Sequence, residues 1–241
     1  MFATLHCIAL RTVRYSDSRS IVSAWSAERG YVAFAMPAGN GREARRRRAL
    51  TMPLSVFEGE VDIKPGHDVL SMRDLKASKV NIGVASDPAK LAVALFLAET
   101  LERLLRDSQP DRGLWNFITE SVDALNLLSG RATANFHLWF LYRLTALMGL
   151  EPDTATWSRD ACFDMRGGRW TATPPLSGEW LSADDARGVH TLSRLTLRNI
   201  SLIRLSREQR NAMTDGILRY LSIHVGRLGP MQSLDIVREL F

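Results

Sequence analysis

Five arginines fall within seven residues: Arg42, Arg45, Arg46, Arg47 and Arg48. Each guanidinium holds a permanent positive charge and a fork of N–H donors that matches a phosphate. Like charges so close together repel, and a polyanion is the partner that relieves them. The plainer alternative is a solvated loop screened by water and salt. Three more arginines, Arg11, Arg14 and Arg19, bracket the turn Tyr15-Ser16-Asp17-Ser18 and extend the run if the fold brings them near it. Two aromatics, Tyr31 and Phe34, lie just ahead of the run. Exposed rings beside arginines stack bases while the arginines hold the backbone. These two rings point to opposite sides of one strand, so at least one of them belongs to a core.

The charge distribution agrees with that chemistry. The 241 residues carry 31 basic and 26 acidic side chains, a net charge of +5. Residues 1–80 hold 13 basic and 8 acidic residues, and residues 81–241 hold 18 of each, so the excess belongs to the first third. Nucleic acid is therefore the expected partner, met by the N-terminal part. No apolar run reaches the roughly 20 residues of a membrane span. The longest candidate, Leu91–Leu105, is broken by Glu99, Glu102 and Arg103. The two cysteines, Cys7 and Cys162, are far apart and no secretory leader pattern precedes them. A soluble, cytoplasmic protein in a reducing compartment is expected.

Catalysis needs a constellation, and the chain does not offer one. It has no phosphate-cradling GxxxxGK[ST], no GxGxxG after a strand and no GxSxG elbow. His6, His67, His137, His190 and His224 are scattered. Asp184-Asp185 reads as a helix start favoured by the helix dipole. His137 sits among Phe136, Leu138, Trp139 and Phe140 and reads as a core histidine. Cys162 lacks a near thiol or imidazole for a zinc set. No enzyme activity, no cofactor and no metal are expected.

The elements that must position these residues follow from periodicity. Strands are expected at 4–13, 20–26, 31–36, 54–63 and 67–72, with a long arginine loop from Pro37 to about Arg48. Five short strands in about 80 residues fit a small closed barrel, of the OB-fold or the SH3-like kind. Beyond Asn81 the period becomes helical, with a start at Asp87-Pro88 and further helices at 114–128, 134–147, 182–197 and 206–225. The expected fold class is α+β: a β-barrel domain over 1–80, then an α-helical bundle domain over 81–241. A short irregular hairpin insert is expected around 153–180, turning at Gly167-Gly168.

In order and spacing the chain resembles the RecO family of bacterial recombination mediators. The likeness is carried by Ala9-Leu10-Arg11-Thr12, Tyr15-Ser16-Asp17-Ser18, Ile21-Val22, the Glu28-Arg29-Gly30 turn, the basic stretch Gly41–Arg48 and Pro53–Glu60. It continues through Leu141–Gly149 with Pro152, and through Ile217–Leu221 with His224 and Gly226-Arg227. Met52 stands where the family often has glutamine. Four zinc cysteines of some members are represented here by Cys162 alone.

The resemblance implies an N-terminal OB-fold and a DNA repair mediator without catalysis, bacterial and nucleoid-associated. Such a protein binds single- and double-stranded DNA and anneals complementary strands. With RecR it helps load RecA on strands coated with single-strand-binding protein, whose acidic C-terminal tail is a further partner. An apolar pocket with basic neighbours on the helical part, near Trp115 and Phe136–Phe140, is the expected seat for that tail. An RNA-binding OB module with a helical protein-interaction domain is the alternative.

Overall fold

A computed structural model describes residues 2–63, 69–79, 81–226 and 228–241. The chain divides into two compact units, residues 1–127 and 128–241. The change from strand to helix pattern near residue 80 therefore falls inside the first unit.

Five strands form a closed barrel: β1 (Phe2–Arg14), β2 (Arg19–Ser26), β3 (Gly30–Pro37), β4 (Val56–Asp62) and β5 (Val69–Ala77). Their order around the barrel is β1-β2-β3-β5-β4, with β4 closing on β1. Only β3 and β5 run parallel. This is the five-stranded Greek-key closure of an OB-fold, which decides between the two barrels that periodicity left open. His67 and Asp68, expected to begin the last strand, lie outside the described residues. Inside, Leu5, Cys7, Val22, Phe34, Met36, Phe57, Val61 and Met72 make the core, with Phe34 and Phe57 edge to face at 5.7 Å.

β1 departs from simple alternation. Cys7, Ile8, Ala9 and Leu10 are all buried. Cys7 and Ala9 face the barrel core. α3 (Pro88–Leu104) packs against the same strand. A strand covered on both faces reads as a continuous apolar run. The pairing shifts by one residue between Ala9 and Arg11, and from Arg11 to Arg14 every residue is exposed.

The stretch expected as an arginine loop is a helix, α1 (Arg42–Leu50). Arginine ranks near leucine in helix propensity, so nothing in the run opposes the helix except charge. Ala44 is buried and Leu50 packs against the barrel core. The fourth strand begins at Val56, not at residue 54. Leu54 holds φ 60° in a turn, where its amide donates to the Ala9 carbonyl at 2.8 Å.

The Glu28-Arg29-Gly30 turn joins barrel to helices. Burial opposes the charge of the Glu28 carboxylate. The His6 ring at 2.7 Å, the Ser26 hydroxyl at 2.8 Å and the His6 amide at 3.0 Å outweigh it and hold the pKa below its usual value. Gly30 has φ 71°, and a Cβ there would lie 2.2 Å from the Ser108 carbonyl oxygen. Beside it, Trp25 donates its indole N–H to the Ser108 hydroxyl at 2.9 Å and sits 6.3 Å from Trp115.

Helices complete the first unit: α2 (Ile82–Ser86), α3 and α4 (Arg112–Leu127). Asp87 caps α3 by accepting from the amides of Ala89 and Lys90, and Pro88 opens its first turn. The second unit holds α5 (Arg131–Leu147), α6 (Ala183–Ser193), α7 (Arg207–Val225) and α8 (Gln232–Leu240). Ser182 caps α6 ahead of Asp184 and Asp185, and Ser206 with Gln209 forms a full capping box on α7. α2 and α8 were too short for periodicity to reveal.

The irregular segment is a small sheet, β6 (Cys162–Asp164), β7 (Arg169–Thr171) and β8 (Trp180–Leu181), with β6 in the middle. Phe163, Met165 and Trp170 form its core with Ala186 and Tyr220. That apolar cluster holds the hairpin shape, and a single cysteine does not fit a four-thiolate metal site.

His137 is buried on α5, 3.1 Å from the Thr214 hydroxyl. Burial, then the Arg210 cation, pulls its pKa down to about 3. The native chain therefore keeps it neutral while the unfolded chain binds a proton below its ordinary value of 6.5. Stability must fall as pH drops from there toward 3, at a slope of up to about 1.4 kcal/mol per pH unit.

Two outcomes are expected. Gly30→Ala should destabilise the chain by roughly 2–4 kcal/mol in urea unfolding, from positive φ and backbone overlap together. In His137→Gln, the loss of unfolding free energy between pH 6 and pH 4 should be shallower than in the parent chain. A parallel pH dependence in the two would remove His137 as its source.

Candidate nucleic-acid interface

The pleat of the barrel decides which candidate residues share a surface. Successive side chains alternate between faces, so β1 and β2 each contribute two sets. One set, Thr12, Arg14, Ser20, Val22, Phe34 and Met36, runs from the core to the barrel mouth under α1. The other set, Arg11, Val13, Ile21, Ser23, Ala33 and Ala35, forms the outer face.

At the mouth, Arg14 and Arg48 line one groove of about 410 Å³ with Asp17, Met36, Gly39 and Asn40. Arg14 is tied by Asp17 at 2.9 Å and by the Ser16 carbonyl at 3.3 Å. Arg48 donates to the Gly39 carbonyl. Arg14 and the arginine run are thus brought together, whereas Arg11 and Arg19 fall on the other face of the sheet.

Helical geometry sorts the five arginines. Arg42, Arg45 and Arg46 stand at i, i+3 and i+4 on one exposed face. Arg46 and Arg47 approach Glu43 at 3.5 and 3.7 Å and line a groove of mixed charge with Glu58, Glu60 and Asp74. Arg47 is the least exposed of the five. Among the described residues, Arg42, Arg45, Arg11 and Arg19 are exposed and their side chains have no hydrogen-bond or ion-pair partner. Arg42 occupies the first turn, where the helix dipole disfavours a cation. Among the described residues no acid pairs with Arg42, although Glu43 shares its turn.

The aromatic candidates fare differently. Phe34 is fully buried in the barrel core, because its side of β3 faces inward. It offers no surface to a base. Tyr31 lies on the outer side, yet its hydroxyl donates to Glu102 on α3 at 3.3 Å and its amide to the Ser108 carbonyl. Glu102 is nearly buried and also holds Arg106 at 3.3 Å. The α3–α4 connection thus covers the Tyr31 end of the outer face and leaves the end near the first turn open. The exposed aromatic there is Tyr15, 74% accessible, which the sequence marked only as turn chemistry. Its signal was its place between Arg14 and Arg19.

Among the described residues, no group of three or more His, Cys, Asp or Glu side chains is gathered for a metal, and no helix is long and apolar enough to cross a membrane.

The fold and the site define a class: an OB-barrel protein continued by helices, with unpartnered cations on the barrel. Comparison with known proteins places it further. Residues 85–234 match the family model described as "Recombination protein O C terminal". A protein of Porphyromonas gingivalis (strain W83) named DNA repair protein RecO is 31% identical over 245 aligned positions, covering all of both chains. Proteins of the same name from Phocaeicola vulgatus and Bacteroides fragilis (strain NCTC 9343) are 30% and 29% identical, each over 97% of both chains. This chain belongs to the RecO family.

If the arginines of α1 serve a ligand rather than the fold, exchanging them should stabilise the free protein. Arg42→Glu with Arg45→Glu should raise the unfolding free energy by about 0.5–1 kcal/mol at low salt, through the dipole and relief of repulsion. A clear loss of stability in urea titrations would show that the fold itself uses these cations.

Proposed function

We propose that this protein is a DNA repair and recombination mediator without catalysis. It binds single- and double-stranded DNA through the barrel and anneals complementary strands. With RecR it helps load RecA on strands coated with single-strand-binding protein, whose acidic C-terminal tail it also engages. The reading is supported by family membership, by the names its relatives carry and by one observation above others. A closed OB-fold keeps Arg42 and Arg45 on α1, and Arg11 and Arg19 on its outer face, without internal partners. Phosphates are the anions spaced to answer such a set. Annealing brings two negative strands together, and dense cations lower the repulsion between them.

The test uses the full chain with Arg42, Arg45, Arg46 and Arg48 changed to Ala. Affinity for single-stranded DNA should drop at least about tenfold. The slope of log K against log salt should flatten by about 0.7 for each phosphate that is no longer neutralised. Annealing of coated complementary strands should fall with it. Unchanged binding and annealing would remove the helix from the interface. An RNA competitor in the same assay separates the RNA-binding alternative, which requires RNA to displace DNA at equal concentration.

A further inference from the structure

The open part of the outer face has a composition that the cationic helix does not explain. β1 presents Arg11 and Val13 outward, and the Tyr15 amide donates to the Arg19 carbonyl at 3.0 Å, which continues the pairing by one step. Tyr15 therefore falls on the same side as Val13 and Arg11. Across from them stand Arg19, Ile21 and Ser23 on β2, then Ala33 and Ala35 on β3, then Val69 and Ser71 on β5. Val13 and Val69 are 44% and 40% exposed. The surface is a shallow floor of small and apolar side chains. At its open end stands one aromatic ring, and two arginines without internal partners share the face with it.

Among the described residues Tyr15 meets no other ring, and its hydroxyl has no hydrogen-bond partner. A ring so placed adds nothing to the core. Its π-face, the small residues behind it and the neighbouring guanidiniums together match a base and its backbone. Arg11 lies on β1 and Tyr15 one residue past its end, four residues on, a span of up to about 13 Å. Ring and arginine thus address separate nucleotides of one strand.

We infer that Tyr15 is a stacking platform for an unpaired base, and that it makes the barrel face prefer single strands to duplex. This rests on the DNA-binding reading above and refines it. The arginines of α1 answer phosphates, which both forms of DNA present. A stacking ring answers a base face, which a duplex has already stacked on its neighbours. The two features divide the labour: charge sets affinity for any strand, and Tyr15 adds affinity only where bases are unpaired.

The experiment measures fluorescence anisotropy of a labelled oligothymidine and of a blunt duplex of equal length, with the full chain and with Tyr15→Ala and Tyr15→Phe. Tyr15→Ala should weaken oligothymidine binding about tenfold and leave duplex binding within about twofold. Tyr15→Phe keeps the ring and should bind both as the parent does. Equal loss on both DNAs in Tyr15→Ala, or no loss on either, overturns the stacking role. So does an equal defect in Tyr15→Phe, which would point to the hydroxyl. If the parent chain binds neither DNA, the DNA-binding reading itself fails, an outcome separate from a failure of Tyr15 alone.

Discussion

The double burial of β1 is the constraint on which the rest of the molecule depends. From Cys7 to Leu10 the strand has the barrel core on one side and a helical layer on the other. No solvent-facing side chain fits in such a stretch, so exposed side chains of β1 begin where the cover ends. The register shift before Arg11 marks that edge. The second anchor, Gly30 pressed on the Ser108 backbone, lies level with Cys7 and belongs to the same covered end of the sheet. Beyond the shift, on the side away from Gly30, the outer sheet face is uncovered toward the first turn.

The cationic helix shows the opposite balance. Its contacts with the barrel include Ala44 and Leu50, while its remaining surface carries five arginines against one acid, Glu43. Within a stable fold, an arginine in a helix's first turn with no acid to meet it is a local cost. Proteins tolerate such conflicts at functional sites. Arg46 and Arg47 are partly answered by Glu43 and nearby acids. The unanswered charge is thereby concentrated on Arg42 and Arg45, at one end of the helix.

Much of this was legible in the chain. Strand alternation located the barrel, capping residues located α3, α6 and α7, and charge arithmetic placed the cations on the barrel. The helix of the arginine run was not legible, because six charged residues leave only Ala44, Ala49 and Leu50 to carry a helical period. Parity on β3 showed that Tyr31 and Phe34 could not both be exposed. It could not show that Glu102 and Ser108, some seventy residues on, cover the outward one, since tertiary cover leaves no local trace. Tyr15 went unmarked as a binding residue for a related reason. A tyrosine beside Ser-Asp-Ser looks like turn composition until the pairing with Arg19 gives it a face.

The parallel pairing of β3 with β5 has a kinetic consequence. Parallel neighbours cannot be joined by a hairpin, and here the crossover between them contains α1 and β4. The β2–β3 hairpin is a local pairing and β3–β5 a distant one, and distant pairings slow folding. The arginine helix is thus carried on the segment that must be threaded into place before the barrel closes. The groove lined by Arg14 and Arg48 joins β1 to α1 and needs both segments packed in the barrel. The mutual arrangement of these cations therefore depends on closure of the barrel.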